Sequence, residues 1–399
     1  MTKLEQLIEE LCPNGVEYRT LNTICNVYDG THQTPQYTDS GIKFASVENI
    51  ADPYATEKYI SVSDYEKYKI KPQRNDLLMT RIGSIGVCTV IESDEPLAYY
   101  VSLALLRPDN SILNSRYLKY AIESLHCRKE LRKRTLVNAV PIKINMGDIG
   151  KITLPVPPLP VQSEIVRILD NFTELTAELT AELTARRQQY EYYNNILLSF
   201  GNAEYQTLEE LCDIVDYRGK TPRKVDDGIF LVTAKNIRKG FIDYDKSKEY
   251  ISPEDYDEVM HRGLPQIGDV LITTEAPCGN VAQIDNENIA LAQRVIKYRP
   301  KSNNLNSTFL KYVLLGKEFQ DKLERAATGG TVKGIKGSKL HQLTIPVPSI
   351  EEQERIVAIL DRFDTLCNDI SEGLPAEIEA RQKQYEYYRD RLLTFEPAK

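Results

Sequence analysis

Tryptophan is absent from this 399-residue chain, and histidine occurs only at 32, 126, 261 and 341. The four histidines are far apart and never fall in an H-E-x-x-H or Cys/His spacing, so no metal site is legible. The seven cysteines (12, 25, 88, 127, 212, 278 and 367) are odd in number and include no C-x-x-C pair. They read as reduced thiols of a cytoplasmic protein, not as a disulfide frame. No apolar run reaches the ~18 residues of a membrane span. The opening Met1-Thr2-Lys3-Leu4-Glu5-Gln6 lacks the basic and apolar regions of a signal peptide. There is no G-x-G-x-x-G and no G-x-S-x-G. Gly219-Lys220-Thr221 resembles the tail of a phosphate-binding loop, but Ile214 stands where its first glycine belongs, so the segment reads as a turn. Positive charge is not in excess either: 50 Lys and Arg face 58 Asp and Glu, a net charge of −8. That excludes a generic DNA-coating protein, but not specific DNA binding, which depends on where the charges sit.

What is present is an internal duplication. Ile152-Thr153-Leu154-Pro155-Val156-Pro157 recurs as Leu343-Thr344-Ile345-Pro346-Val347-Pro348. The stretch QSEIVRILDNFTEL (162–175) recurs as QERIVAILDRFDTL (353–366), and Tyr190-Glu191-Tyr192-Tyr193 as Tyr385-Glu386-Tyr387-Tyr388. Earlier in each repeat the matches are sparser: Thr34-Pro35 with Thr221-Pro222, Asn49-Ile50 with Asn236-Ile237, Arg107-Pro108 with Arg299-Pro300. One framework carrying two divergent surfaces implies two similar tasks on different targets.

The segments after each proline-rich turn predict long helices. In the first, Ile165, Leu169, Phe172, Leu175, Leu179, Leu183, Tyr190, Tyr193 and Leu197 form a single apolar stripe, with a tandem Thr-Ala-Glu-Leu run inside it. Its length implies a coiled coil. In the second, Ile356, Leu360, Phe363, Leu366, Ile370, Ile378, Tyr385, Tyr388 and Leu392 form the stripe, and Gly373-Leu374-Pro375 predicts a break. The Phe-to-Tyr interval is 18 residues in the first (172 to 190) and 22 in the second (363 to 385), the extra four falling at that break. The expected fold is α+β: two duplicated α/β lobes separated by two long antiparallel helices forming a coiled-coil spacer, with pseudo-twofold symmetry. The expected boundaries are 1–158 (lobe one), 159–200 (helix one), 201–349 (lobe two) and 350–399 (helix two). Residues 162–200 carry −3 and 351–391 carry −5, which accounts for the whole net charge. An acidic spacer repels phosphate and is better suited to protein partners.

Several basic clusters are candidates for phosphate or base contacts. Residues 128–134 hold five basic side chains in seven, including Arg128, Arg132, Lys133 and Arg134; an exposed helix end is the simpler reading. Residues 329–339 alternate glycine with Lys333, Lys336 and Lys339, as suits close backbone approach to a ligand or a surface hairpin. Arg218, Lys220, Arg223 and Lys224 form a third cluster, and Lys143 is a further candidate. Arg81 follows a strand and enters a glycine turn (Gly83, Gly86), where it either forks onto a guanine edge or pairs with a carboxylate.

The Pro-Val-Pro segments with Gln162 and Gln353, the I-V-x-I-L-D-x-F runs, the Thr-Ala-Glu-Leu tandem and the Q-Y-E-Y-Y endings together resemble the specificity subunit of type I restriction-modification systems, over the full length. The branch with Thr-Ala-Glu-Leu repeats is the most similar. The resemblance implies two target-recognition domains, each reading half of a bipartite double-stranded DNA sequence. It implies helices that act as a ruler and dock two methyltransferase subunits through Phe172, Leu175, Leu179, Leu183, Tyr190, Tyr193, Phe363, Leu366, Tyr385 and Tyr388. It further implies motor-nuclease subunits, with S-adenosylmethionine, ATP and magnesium on the partners and no cofactor or catalytic residue here. A self-contained DNA-modifying enzyme is disfavoured: the only Pro-Pro, in Val156-Pro157-Pro158-Leu159, lacks the polar and aromatic flanks of an adenine methyltransferase site. A protein-only adaptor remains the other alternative, and it predicts no salt-dependent DNA affinity.

Overall fold

The computed structural model describes residues 2–201, 203–217, 222–329, 333–368 and 373–398. It divides into two compact units, one of residues 1–180 with 377–399 and one of 181–376. The division passes through the long helix, not around it. Each unit therefore owns a stretch of both spacer helices.

Both units are built from the same three sheets. In the first, Cys25–Asp29, Leu103–Pro108, Leu77–Thr80 and Cys88–Val90 lie in that order as an antiparallel sheet. A second sheet orders Tyr37–Thr38, Tyr59–Ile60, Ile42–Ala45 and Leu97–Tyr99, the last pair parallel. Tyr18–Thr20 pairs with Thr153–Pro155 as a separate ribbon. In the second unit the same orders recur in Cys212–Asp216, Val295–Pro300, Val270–Thr274 and Cys278–Gln283, then in Lys224–Val225, Tyr250–Ile251, Ile229–Val232 and Ile289–Leu291. The ribbon there is Glu204–Thr207 with Thr344–Val347. Leu77, Leu78 and Met79 are fully buried, as are Val270, Leu271 and Ile272, because both faces of these central strands are covered. Helices Ser115–Glu123 and Leu125–Arg134 cover one face in the first unit; Ser307–Leu315 and Lys317–Ala326 do so in the second.

A bidentate ion pair on a buried aspartate pins each central sheet. Arg107 donates to both carboxylate oxygens of Asp76 at 2.8 and 2.6 Å, and Arg299 does the same to Asp269 at 2.6 and 2.7 Å. Fork geometry of this kind is strong and directional. In the second unit Lys297 also reaches Asp269, at 3.3 Å. Burial pushes the Lys297 pKa down, with the Asp269 charge acting against that shift.

The first spacer helix runs unbroken over Leu159–Leu197, about 58 Å at 1.5 Å per residue. Within its Thr-Ala-Glu-Leu tract, Thr176 and Thr180 donate their hydroxyls back to the carbonyls of Phe172 and Thr176 at 2.9 and 2.8 Å. The second spacer is two helices, Ile350–Asn368 and Leu374–Leu392. Ile370 lies outside the described residues.

A glutamine at each helix entry ties the helix to its lobe. Gln162 accepts from the Asn114 backbone N–H at 2.8 Å and donates to the carbonyls of Ile112 and Pro157 at 2.8 and 2.7 Å. Gln353 repeats this with Asn306, Asn304 and Pro348. Both glutamines are fully buried. Asn114 and Asn306 in turn cap the next helix, each accepting two backbone N–H groups.

Replacing Gln162 with Leu is expected to leave a backbone N–H and two carbonyls unpaired in the interior, at about 1–3 kcal/mol for each group. The thermal midpoint should fall by several degrees; an unchanged midpoint by calorimetry would show that the anchor is dispensable. A second expectation concerns acid. Hydrogen bonds from Arg167 and then Lys3 hold the Glu164 pKa down, to about 2. A depressed carboxylate stabilises the fold above its unfolded pKa and loses that contribution as pH falls toward the folded value. The gap in thermal midpoint between the native chain and Glu164→Gln should therefore be widest near pH 7 and narrow between about pH 5 and pH 3.

Candidate nucleic-acid interface

In each unit a glycine turn, a helix end and a hairpin converge. In the first, the turn after Leu77–Thr80 reaches Gly86, whose φ is +83°. That conformation favours glycine, and a Cβ on Gly86 would also press on Leu131 Cδ1 of the helix Leu125–Arg134, at 2.6 Å. The helix ends at Arg134, and the chain folds into a hairpin over residues 136–143, closed by Leu136 N–H to the Lys143 carbonyl at 2.8 Å. Gly83 N–H donates to the Ile142 carbonyl at 2.9 Å, and Ile82 bridges Lys143. The second unit repeats the construction. Gly279 (φ +89°) backs onto Gln320 and Leu323, Gly334 bridges both Thr328 and Glu275, and Ile335 N–H donates to the Thr274 carbonyl at 3.0 Å.

Arg81 does not present a free fork at this turn. Its side chain is buried, donating to Asp29 Oδ1 at 2.6 Å and to the carbonyls of Val101 and Ile144 at 3.3 Å. The carboxylate pairing is the reading that the structure supports, and Arg81 acts as a positioning group beneath the hairpin. Asp29 also meets His32 Nε2 at 2.9 Å through its other oxygen.

The remaining basic candidates divide by partner. Arg134 is half-buried and donates to the Glu130 carboxylate at 2.7 Å; Lys133 reaches the same group at 3.1 Å. These two hydrogen bonds, Lys133 first, lower the Glu130 pKa. Arg128 and Arg132 on the same helix are exposed and make no ion pair with a described residue, as is also true of Lys143 on the hairpin. In the second unit Lys333 pairs with Glu324. Lys336 and Lys339 are exposed at the short helix Gly337–His341 and have no ion-pair partner among the described residues. Arg223 is exposed, while Lys224 is held by Glu249 at 2.7 Å. Arg218, Lys220 and residues 330–332 lie outside the described residues. Among the described residues no cluster of His, Cys, Asp and Glu is placed to hold a metal ion.

The spacer side chains meet in crossed pairs. Phe172 stacks on Tyr388 (5.4 Å between centroids, 22°) within the first unit, where Tyr120 also meets Tyr385 edge-on. Within the second unit Phe363 stacks on Tyr193 (5.7 Å, 27°) and touches Tyr190. Arg187 donates to the Cys367 carbonyl at 3.4 Å while Tyr190 and Tyr193 meet Phe363, so these helices run antiparallel in that unit. Tyr120 and Tyr312 each donate to the helix, reaching Asp170 and Asp361 at 2.6 Å. Leu175 and Leu366 are exposed, and Leu179 and Leu183 are half-buried.

Sequence reasoning missed the apolar character of the first hairpin. Leu136, Val137, Val140 and Ile142 are all exposed. The signal was an aliphatic stretch with neither helical nor strand period, directly after a basic helix. It also missed Asp29, which lies 52 residues from the Arg81 that it neutralises.

A family model describing the type I restriction modification DNA specificity domain matches residues 13–186 and again 202–380. The EcoR124I/EcoR124II type I restriction enzyme specificity subunit of Escherichia coli is 41% identical over 271 residues, covering 61% of this chain and 63% of that protein. The chain thus spans a little under two thirds of that relative's length. The EcoprrI type I restriction enzyme specificity subunit, also of Escherichia coli, is 31% identical over 328 residues, covering 76% of this chain and 74% of that one. The crystal structure of a type I restriction-modification S subunit from M. genitalium superposes with a TM-score of 0.55 at 14% identity, over 95% of this chain and 96% of that one. At that identity the likeness concerns the fold.

Removing the Arg81 guanidinium tests its positioning role. Arg81→Met is expected to speed amide hydrogen exchange at Gly83 and Ile144 at least tenfold, with little change at Leu77–Thr80. Uniform exchange across all of them would show that Arg81 is ordinary core.

Proposed function

The chain belongs to the type I restriction-modification DNA specificity family, and on that premise we propose that each unit reads one half of a bipartite double-stranded DNA target. The observation that carries this reading is one frame used twice with different tips. Sheet order, glutamine anchor, ion pair and glycine turn recur between the units, while the sequences that follow the helix ends, 136–143 and 328–334, differ. Frames that are held constant under divergent loops are how recognition is varied without refolding.

In this reading Arg128, Arg132, Lys143, Arg223, Lys336 and Lys339 contact phosphates, which fix register, and the hairpins face base edges. Arg218 and Lys220 belong with them by sequence. The acidic spacer stays off the DNA and docks two methyltransferase subunits. Those partners carry S-adenosylmethionine, and further motor-nuclease subunits use ATP and magnesium. This chain contributes recognition, and the bond chemistry lies in its partners. Each Thr-Ala-Glu-Leu unit adds about 6 Å of helix, under two base-pair steps, so the tract sets the gap between half-sites.

The direct experiment is long-read detection of methyladenine on plasmid DNA from cells co-expressing this chain with its methyltransferase subunit. A split motif methylated on both strands is expected. Deleting one Thr-Ala-Glu-Leu unit should change the gap and leave both half-sites alone; an unchanged gap would sink the ruler. Binding should also weaken steeply with salt. The Lys336→Ala, Lys339→Ala double variant should lower the slope of log affinity against log salt by about 2. Salt-independent association would favour a protein-only adaptor.

A further inference from the structure

The hairpin at 136–143 exposes aliphatic side chains where a soluble surface ordinarily places polar ones. Val140 is fully exposed, Val137 62% exposed, and Leu136 and Ile142 44% and 37%. The tip is not a loose strand end. Its base is closed by the Leu136–Lys143 bond and tied to the glycine turn through Gly83 and Ile142. Arg81, neutralised by Asp29, supports it from beneath through the Ile144 carbonyl. The flanks are cationic: Arg128, Arg132 and Lys143 are exposed without an ion-pair partner among the described residues.

An aliphatic tip between unpaired cations fits a surface that is anionic at its edges and locally apolar between them. The major groove of DNA has that pattern. Phosphates line it, and the C5-methyl of thymine is the apolar group that its floor displays. We propose that Val137 and Val140 are specificity-determining residues that contact thymine methyl groups in the half-site read by the first unit. The proposal rests on the DNA-reading function above. The corresponding segment of the second unit, 328–334, has a different sequence, so the prediction is made for the first half-site alone.

The test uses the full chain in complex with its methyltransferase subunit and duplexes bearing the motif found by methyladenine sequencing. The half-site of the first unit is assigned by exchanging residues 201–347 for those of another family member and noting which half is retained. Deoxyuridine then replaces thymidine in one half at a time, which removes only the methyl groups. Replacement in the first unit's half should weaken binding about three- to tenfold, the scale of one or two buried methyls. Replacement in the other half should have the same effect on the native chain and on the Val137→Ser, Val140→Ser variant. The Val137→Ser, Val140→Ser variant should bind both duplexes alike and keep its salt dependence. Equal binding of the two duplexes by the native chain overturns the proposal while leaving DNA reading intact. So does a penalty that the double variant retains, or a first half-site in which no thymine occurs. Loss of all salt-dependent, sequence-specific binding by the native complex would instead overturn the underlying function.

Discussion

Two buried glutamines, Gln162 and Gln353, couple everything else in this protein. Each sits in the first turns of a spacer helix and satisfies a backbone N–H and a carbonyl from one loop, plus a carbonyl from its own proline-rich entry. Only an amide does this, because it donates and accepts at once. A carboxylate would face two carbonyls with nothing to donate, and an aliphatic side chain would strand all three groups. The same asparagine whose N–H donates to the glutamine caps the helix lying on the central sheet. The axial position of the spacer helix is thereby transmitted to the sheet through two short polar links, with no flexible joint between them.

The sheets carry the next level of constraint. Asp76 with Arg107, and Asp269 with Arg299, tie the start of each central strand to its neighbour, and the turn glycines Gly86 and Gly279 sit close against a helix. What lies beyond those glycines is free to differ. The first unit places Arg81 and an aliphatic hairpin there, whereas the second has Thr274 at the position of Arg81. The buried Lys297 of the second unit, where the first has Leu105, shows that even the frame tolerates change when an acid is within reach to neutralise it.

Local signals made the frame legible in sequence. The repeated Pro-Val-Pro turns, the apolar stripes and the Gly-Pro interruption are matters of spacing, and they located the helices within a few residues. The role of Gln162 was visible only as identity between repeats, because its partners are backbone groups some fifty residues away. Arg81 failed as a base reader for a related reason. Its partner Asp29 sits on a strand distant in sequence, and no local pattern shows that the two share a sheet edge. The aliphatic hairpin went unread because exposure, not composition, makes it unusual. Charge arithmetic placed acidity on the helices, yet could not separate Arg134, spent on Glu130, from Arg132, which is free of an ion pair among the described residues.

If the Thr-Ala-Glu-Leu tract is the ruler proposed above, helix geometry favours a four-residue unit. Phe172 stacks on Tyr388, and Phe363 on Tyr193, so each repeat's phenylalanine is met by the tyrosines of the other repeat. The Thr-Ala-Glu-Leu tract lies between Phe172 and Tyr190 and takes part in neither stack. Adding four residues there advances the helix by about 6 Å and turns it about 400°, only ~40° past a full revolution. Tyr190 and Tyr193 keep nearly the same face while moving along the axis. A three-residue unit would fall about 60° short of a revolution and a five-residue unit would overshoot by about 140°, carrying both tyrosines away from the stripe. Four is the insertion that changes distance most nearly without changing phase, and the leucine of each unit extends the apolar stripe across the added turn.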